Sequence, residues 1–335
     1  MLALVQIPAP YWAGFIVVVL FFLAFDLGVF HRHAHVVRFR EALAWTTLWF
    51  VLAMFFGIRL APQVVPDWGS RQTEEFIAGY ITELSLSMDN VFVMAVVFRF
   101  FGVPSQHQHR VLFWGILGAL VMRGLMIGLG AALVARFEWL LYVFGLFLLI
   151  TGVKMVAAPS EEVNPEANPV IRLARRFCPV SQDFDGQKYI TRQNGRRLLT
   201  PLALVLLMVE TTDLVFALDS LPAIFGLTKN AFIIFTSNVF AILGLRSLYF
   251  VLANAIDYFR YLKAGLTVVL VFIGLKMLLE PHGAPEAEPL WFQMDIPTGL
   301  SLIVVGSIIV VAIVASVAVT SIERLRKKRR PHSGK

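Results

Sequence analysis

The sequence predicts an all-α integral membrane protein with about nine transmembrane helices, N-terminus outside and C-terminus inside, organised around two inverted three-helix repeats. Composition is the first reason. Over 335 residues the chain is 58% hydrophobic and only 15% charged, with mean hydropathy +0.74, whereas soluble domains carry about 25% charged residues. The second is a series of apolar runs long enough to cross a bilayer as helices. The third is that Lys and Arg collect in every other loop between those runs.

In order, the runs are 11–30, 42–61, 76–101, 109–135, 138–157, 198–226, 230–252, 261–279 and 297–320. Nothing basic precedes the first and no small-residue cleavage motif follows it, so it reads as a retained span. One set of loops holds Arg32, Arg38 and Arg40, then Arg99 and Arg110, then the basic residues from Arg172 to Arg197, then Arg260 and Lys263, and finally the tail from Arg324. The other set holds little beyond Arg59, Arg71, Arg136 and Lys229, with acidic Glu280, Glu286, Glu288 and Asp295 in its last loop. The basic set is expected on the cytoplasmic side. The formal charge of +7 is therefore a topology signal, and no nucleic-acid partner is expected. A single cysteine, Cys178, excludes an intrachain disulfide and any multi-cysteine metal site.

No Gly- or Ser-rich linker divides the chain, so 1–335 is read as one polytopic membrane domain. Within it, 76–157 and 198–280 form the two repeats, 158–197 a cytoplasmic loop, and 11–61 and 297–320 flanking spans. The repeat is visible in residues. Asp89-Asn-Val-Phe92 aligns with Asp213-Leu-Val-Phe216 at an offset of 124, Arg123 with Arg246, and Gly152-Val-Lys-Met155 with Gly274-Leu-Lys-Met277. Three spans per unit place the second copy upside down, a plan whose sites lie near the bilayer midplane. In the loop, the basic stretch Ile171 to Phe177 and the turn pairs Asp185-Gly186 and Asn194-Gly195 predict a short amphipathic helix and a small hairpin.

Chemistry is concentrated in two acidic segments, Glu83-Leu-Ser-Leu-Ser-Met-Asp89-Asn90 and Glu210-Thr-Thr-Asp213-Leu-Val-Phe-Ala-Leu-Asp219-Ser-Leu-Pro222. One aspartate at the centre of a span costs roughly 2.5–3.5 kcal/mol, so such groups need partners. Glu210 and Asp213 share a helix face. Asp219, six residues further on, does not, and Pro222 predicts a break near Asp219 that would turn it back towards them. Five carboxylates against Arg123 and Arg246, the basic residues clearly at mid-span, leave an excess that suits a divalent cation plus a proton. The oxygens at hand are the carboxylates, the amides of Asn90 and Asn238, and the hydroxyls of Ser85, Ser87, Thr211, Thr212 and Ser220. With no histidine or cysteine expected inside a span, hard or borderline cations such as Mn, Mg or Ca are favoured. Met88 and Met208 could add a thioether, although packing explains them more simply. His31, His33 and His35 read as a juxtamembrane basic loop, Asp26 as an interfacial residue, and Gly115, Gly118, Gly124 and Gly128 as close helix contacts.

At these residues the chain resembles the TerC/Alx family of bacterial inner-membrane proteins, named for tellurium resistance and implicated in manganese export. The resemblance is carried by Glu83 to Phe92, by Glu210-Thr-Thr-Asp213-Leu-Val-Phe-Ala-Leu-Asp219-Ser-Leu-Pro-Ala-Ile-Phe, and by Thr236-Ser-Asn238-Val-Phe-Ala-Ile-Leu-Gly-Leu-Arg246. It implies a secondary exporter of Mn(II), without a cofactor, in the bacterial inner membrane. The family's acidic membrane residues carry over to Glu83, Asp89, Glu210, Asp213 and Asp219; the residue reading adds Asn90 to the metal site, Arg123 and Arg246 as counter-ions or coupling groups and Asn238 as an additional polar ligand. Leu84 departs from relatives that carry lysine there. The partners expected are the cation, protons and the bilayer. Competing readings are export of another solute, an assembly or interaction factor docking through 158–197, and an intramembrane enzyme with paired aspartates. The last is disfavoured by the excess of acids and the lack of a His-Glu-x-x-His motif.

Overall fold

In the computed structural model the described residues are 7–30, 39–157, 169–193, 196–255, 261–281, 293–294 and 296–329. They form eleven α-helices, one π-helical stretch and one two-stranded hairpin. Six helical segments are long and apolar enough to cross a membrane: Phe39–Val64, Ser70–Phe100, Ser105–Arg136, Pro201–Phe225, Ala231–Leu252 and Thr298–Ser321. Shorter apolar helices cover Ala9–Ala24, Leu140–Met155 and Ala264–Leu279. The protein is an all-α, multi-pass membrane protein.

Helix α1 (Ala9–Phe30) buries Phe15, Val19 and Leu23, spaced by four residues on one face, and exposes Val17, Leu20 and Phe21 on the other. An apolar outer face of this kind suits lipid. Helix α2 (Phe39–Phe55) passes through the π-helical stretch Phe56–Leu60 into α3 (Ala61–Val64). At Gly57 the missing side chain leaves room for the Phe76 ring. Helix α4 (Ser70–Phe100) begins six residues before the expected 76 because Gln72 caps it: its Oε1 accepts the Gly69 N–H at 3.0 Å.

Helix α5 (Ser105–Arg136) starts directly after Pro104, also ahead of expectation. It therefore takes in His107 as well as His109, the first residue of the expected run, which corrects the expectation that no histidine lies in a span. Both sit in its first turns. Helix α6 (Leu140–Ala157) packs along α10 (Leu262–Leu279), while α9 (Ala231–Ala255) lies between α4, α2 and α5 and is buried on nearly every side. Helix α11 (Thr298–Arg329) closes the bundle against α4 and α10.

Helix α8 (Pro201–Phe225) corrects a second expectation, for it runs through Pro222 without a break at Asp219. Proline deprives Leu218 of a backbone partner, but it stands in the last turn, where little helix remains to be disrupted. Packing holds that turn: Leu221, Ala223, Ile224 and Phe225 are all buried.

The loop before α8 has the expected content. Helix α7 (Pro169–Phe177) buries Ile171 and exposes Arg172, Arg175 and Arg176. Strands β1 (Ile190–Gln193) and β2 (Arg196–Leu199) pair antiparallel, with Arg192 opposite Arg197. The hairpin is tied to α5 by Tyr189, whose hydroxyl donates to the Arg110 carbonyl at 3.1 Å and whose ring lies under the Arg110 guanidinium at 5.3 Å. Burial pushes the Tyr189 phenol up to about 12. The turn Asn194-Gly195, residues 158–168 and His31, His33 and His35 lie outside the described residues.

Candidate ion site within the helix bundle

Helices α4, α5 and α8 bring a carboxylate–guanidinium cluster into the interior. Glu83 on α4 is 0% exposed, Arg123 on α5 is 2% exposed and Asp213 on α8 is 3% exposed. Arg123 joins the two acids. Its Nη1 pairs with Glu83 Oε1, its Nη2 donates to Asp213 Oδ1 at 3.0 Å, and its Nε donates to Asp213 Oδ2 at 3.3 Å. The grip on Asp213 is therefore a two-point fork, the geometry in which arginine binds carboxylates most firmly.

Helix periodicity assembles the α4 side. Asn90, seven residues or about two turns beyond Glu83, returns to the same face and donates its Nδ2 to Asp213 Oδ1 at 3.1 Å. Ser87, one turn beyond Glu83, donates to Glu83 Oε1 at 3.4 Å. Two buried oxygens at this cluster, Glu83 Oε2 and Asn90 Oδ1, have no hydrogen-bond partner among the described residues. Buried acceptors are normally satisfied. Both are oxygens of the kind that hard cations take as ligands.

Glu210, three residues before Asp213 on the same face of α8, is half-buried. Its carboxylate fills the space left by the missing side chain of Gly118 on α5, and a methyl group there would overlap it. Gly118 is thus more than a close helix contact: it gives the acid its place. Asn238 on α9 is 1% exposed, and neither atom of its amide has a hydrogen-bond partner among the described residues. The same holds for the Ser220 hydroxyl. Arg246 lies on α9 at 7% exposure. The Asp89 and Asp219 backbones are in α4 and α8; their side chains, like that of Asp26, lie outside the described ones.

Other candidates are turned elsewhere. Ser85 donates to the Ile81 carbonyl at 2.7 Å and Thr212 to that of Met208 at 2.7 Å, and Thr211 likewise donates to its own helix. Met88 and Met208 pack in the hydrophobic core. Among the described residues no three His, Cys, Asp or Glu side chains are grouped as a metal cage. What the described side chains form is a pair of acids bridged by an arginine, with Glu210 one turn along α8.

Two buried charged groups and one buried hydroxyl were not anticipated. Glu75 accepts from Arg71 at 3.1 Å and from Thr228 at 2.6 Å, tying the start of α4 to the turn after α8. Lys276 on α10 is 3% exposed and pairs with Glu280 at 3.3 Å. The i, i+4 spacing of both pairs was the available signal. Thr82, 0% exposed and one residue from Glu83, has a hydroxyl without a partner among the described residues.

Comparisons with known proteins agree on the relationship. An uncharacterized membrane protein of Myxococcus xanthus is 51% identical over 305 residues, covering 91% of each chain. Alx of Escherichia coli (strain K12), named as a candidate membrane-bound redox modulator, is 45% identical over 273 residues, covering 80% of this chain and 85% of its own. An uncharacterized membrane protein of Rickettsia bellii is 36% identical over 306 residues, covering 91% of this chain and 96% of its own. No solved structure matches. The profile of the integral membrane protein TerC family matches residues 68–327, a span that takes in α4, α5 and α8 with their acids, and the chain belongs to that family.

Proposed function

We propose that the protein is a secondary transporter that exports a divalent metal ion, Mn(II) foremost, in exchange for protons through its intramembrane carboxylates. The observation that carries this reading is the buried Glu83–Arg123–Asp213 cluster with two orphan oxygens beside it. Ionised groups inside a membrane bundle are costly and typically mark ion or proton pathways. Oxygen-only donors favour Mn, Mg or Ca over Cu or Zn. Manganese itself, and efflux as the direction, come from the family resemblance. In this reading the chain catalyses no chemical conversion and lies in the bacterial inner membrane.

The packing supports nine crossings arranged as inverted repeats. Gly145 on α6 meets Gly274 on α10, and Gly152 on α6 meets Thr267 on α10. Under the 122-residue offset that aligns Gly152 with Gly274, the first contact maps onto the second with its two helices exchanged. That exchange is what a two-fold axis between the repeats requires. Likewise α4 packs on α9 and α5 on α8, each pair crossing between repeats. A site at the α4–α5–α8 junction then lies where alternating access would expose it to each side in turn.

The name given to the Alx relatives favours a second reading, an effect on cellular redox state. Cys178 is the chain's single cysteine and is exposed in the loop. One chain thus has no dithiol of its own, and such an effect would pass through the ion it moves or through a partner. Proteoliposomes containing the purified protein, loaded with Mn(II), Mg(II), Ca(II) and Zn(II) in competition under a proton gradient, test the transport reading. Gradient-dependent Mn(II) flux that is lost in Asp213→Asn supports it. Equal flux with and without protein, or unchanged flux in Asp213→Asn, overturns it.

A further inference from the structure

We propose that the Arg123 guanidinium is a tethered stand-in for the transported cation: it holds the carboxylates in the metal-free form and must leave them when metal binds. The inference rests on the transport reading above and adds how that site is regulated.

Ligand count carries it. Of the four carboxylate oxygens of Glu83 and Asp213, three face Arg123: Glu83 Oε1 and both oxygens of Asp213. Asp213 Oδ1 also accepts from Asn90. At this cluster the acceptors left over are Glu83 Oε2 and Asn90 Oδ1. Hard divalent cations take about six oxygens, and these two supply only a small part of such a shell. A cation drawn to these orphan oxygens has to complete its shell from further donors, and the anionic oxygens at this cluster are the ones that Arg123 now occupies. A guanidinium and a divalent ion at one set of oxygens in a low-dielectric interior would also repel each other strongly. Occupation by one therefore excludes the other.

The arrangement gives Arg123 a task that a fixed structural ion pair would not have. Without metal and without Arg123, Glu83 and Asp213 would be two unpaired buried charges, a state that buried ion pairs do not tolerate. With Arg123 in place the metal-free carrier keeps its acids paired, so it can reorient empty of metal. Metal release is then assisted by the return of a group already attached to α5, and the removal of Arg123 should trap the ion.

The test uses the full chain in detergent and in proteoliposomes, with Mn(II) binding read from the loss of the free-ion paramagnetic resonance signal. Arg123→Ala is expected to bind Mn(II) at least tenfold more tightly than wild type while exchanging it more slowly. Millimolar methylguanidinium is expected to compete with Mn(II) in Arg123→Ala and to raise its melting temperature in metal-free buffer, with neither effect in wild type. Arg123→Lys, which keeps the charge but loses the fork, should bind with intermediate affinity. Should Arg123→Ala not fold even with methylguanidinium, Arg123→Lys decides: affinity equal to or weaker than wild type overturns the inference. Wild-type binding that is unchanged or weakened in Arg123→Ala, with methylguanidinium inert, makes Arg123 a purely structural pin and leaves the transport reading standing. If neither wild type nor Arg123→Ala binds Mn(II), Mg(II), Ca(II) or Zn(II), the transport reading fails and this inference fails with it.

Discussion

Asp213 and Asp185 have the same chemistry in opposite surroundings. Each accepts from one cation and one neutral side chain: Asp213 from Arg123 and Asn90 in the bundle, Asp185 from Lys188 at 3.1 Å and Thr191 at 2.7 Å in the loop. Asp213 is 3% exposed, whereas the Asp185 side chain is 42% exposed. Water screens the loop pair and would replace it readily. The interior pair has no such substitute, so breaking it leaves a charge stranded. The partners look alike; the solvent around them decides what they are worth.

The largest expected effect follows from that difference. Asp213→Ala should destabilise the protein by about 3–5 kcal/mol, the cost of orphaning a buried partner, and Asp185→Ala should leave the midpoint of thermal unfolding in detergent nearly unchanged. Equal midpoint shifts would erase the distinction between the two sites.

Two glycines sharpen the comparison. Gly118→Ala pushes a methyl group into the Glu210 carboxylate. An overpacking cost of about 1–3 kcal/mol is expected, together with a fall in Mn(II) flux of roughly tenfold for the displaced acid. Gly186→Ala meets open space but sits at φ +55°. It should cost about 1–2 kcal/mol of local backbone strain, seen as faster amide exchange in 190–199, with flux intact. If the loop substitution slowed flux as much as the bundle one, the hairpin would belong to the transport machinery.

The smallest effect is a pH dependence. Hydrogen bonds from Thr191 and Lys188 hold the Asp185 carboxyl below its ordinary range. A group whose folded value is depressed contributes its stability above the ordinary carboxylate range and loses it as pH falls through the folded value. Protection of the hairpin amides should therefore decline on acidification through that window, and the decline should be absent in Asp185→Asn. A decline of equal size in the variant would assign it to other carboxylates.

Much of the fold was legible because bilayer length and helical periodicity leave strong marks in a sequence. Each apolar run became a helix, and the basic stretch and turn pairs of the loop became α7 and the β1–β2 hairpin. Helix starts were less legible. Gln72 and Pro104 act as local start signals that a hydropathy window averages away, so α4 and α5 begin earlier than their apolar cores. Pro222 misled in the opposite direction, since a proline in the final turn of a well-packed helix breaks very little. At the site, Glu83, Asn90, Asp213 and Arg123 were all picked out, but not their pairing.

The sequence alone determined that this is a helical membrane protein with acids placed where acids are expensive, because the cost of polar groups in hydrocarbon is set by residue type and run length. Only the tertiary structure decided which acid meets which base. Glu83 and Asp213 share one arginine because α4, α5 and α8 meet there, Asn90 reaches Asp213 from α4, and Glu210 lies where Gly118 leaves room. Those contacts join residues far apart in the chain, and no local pattern encodes the angle at which two helices cross. The arrangement that results is an arginine holding two acids beside two oxygens unpartnered among the described residues.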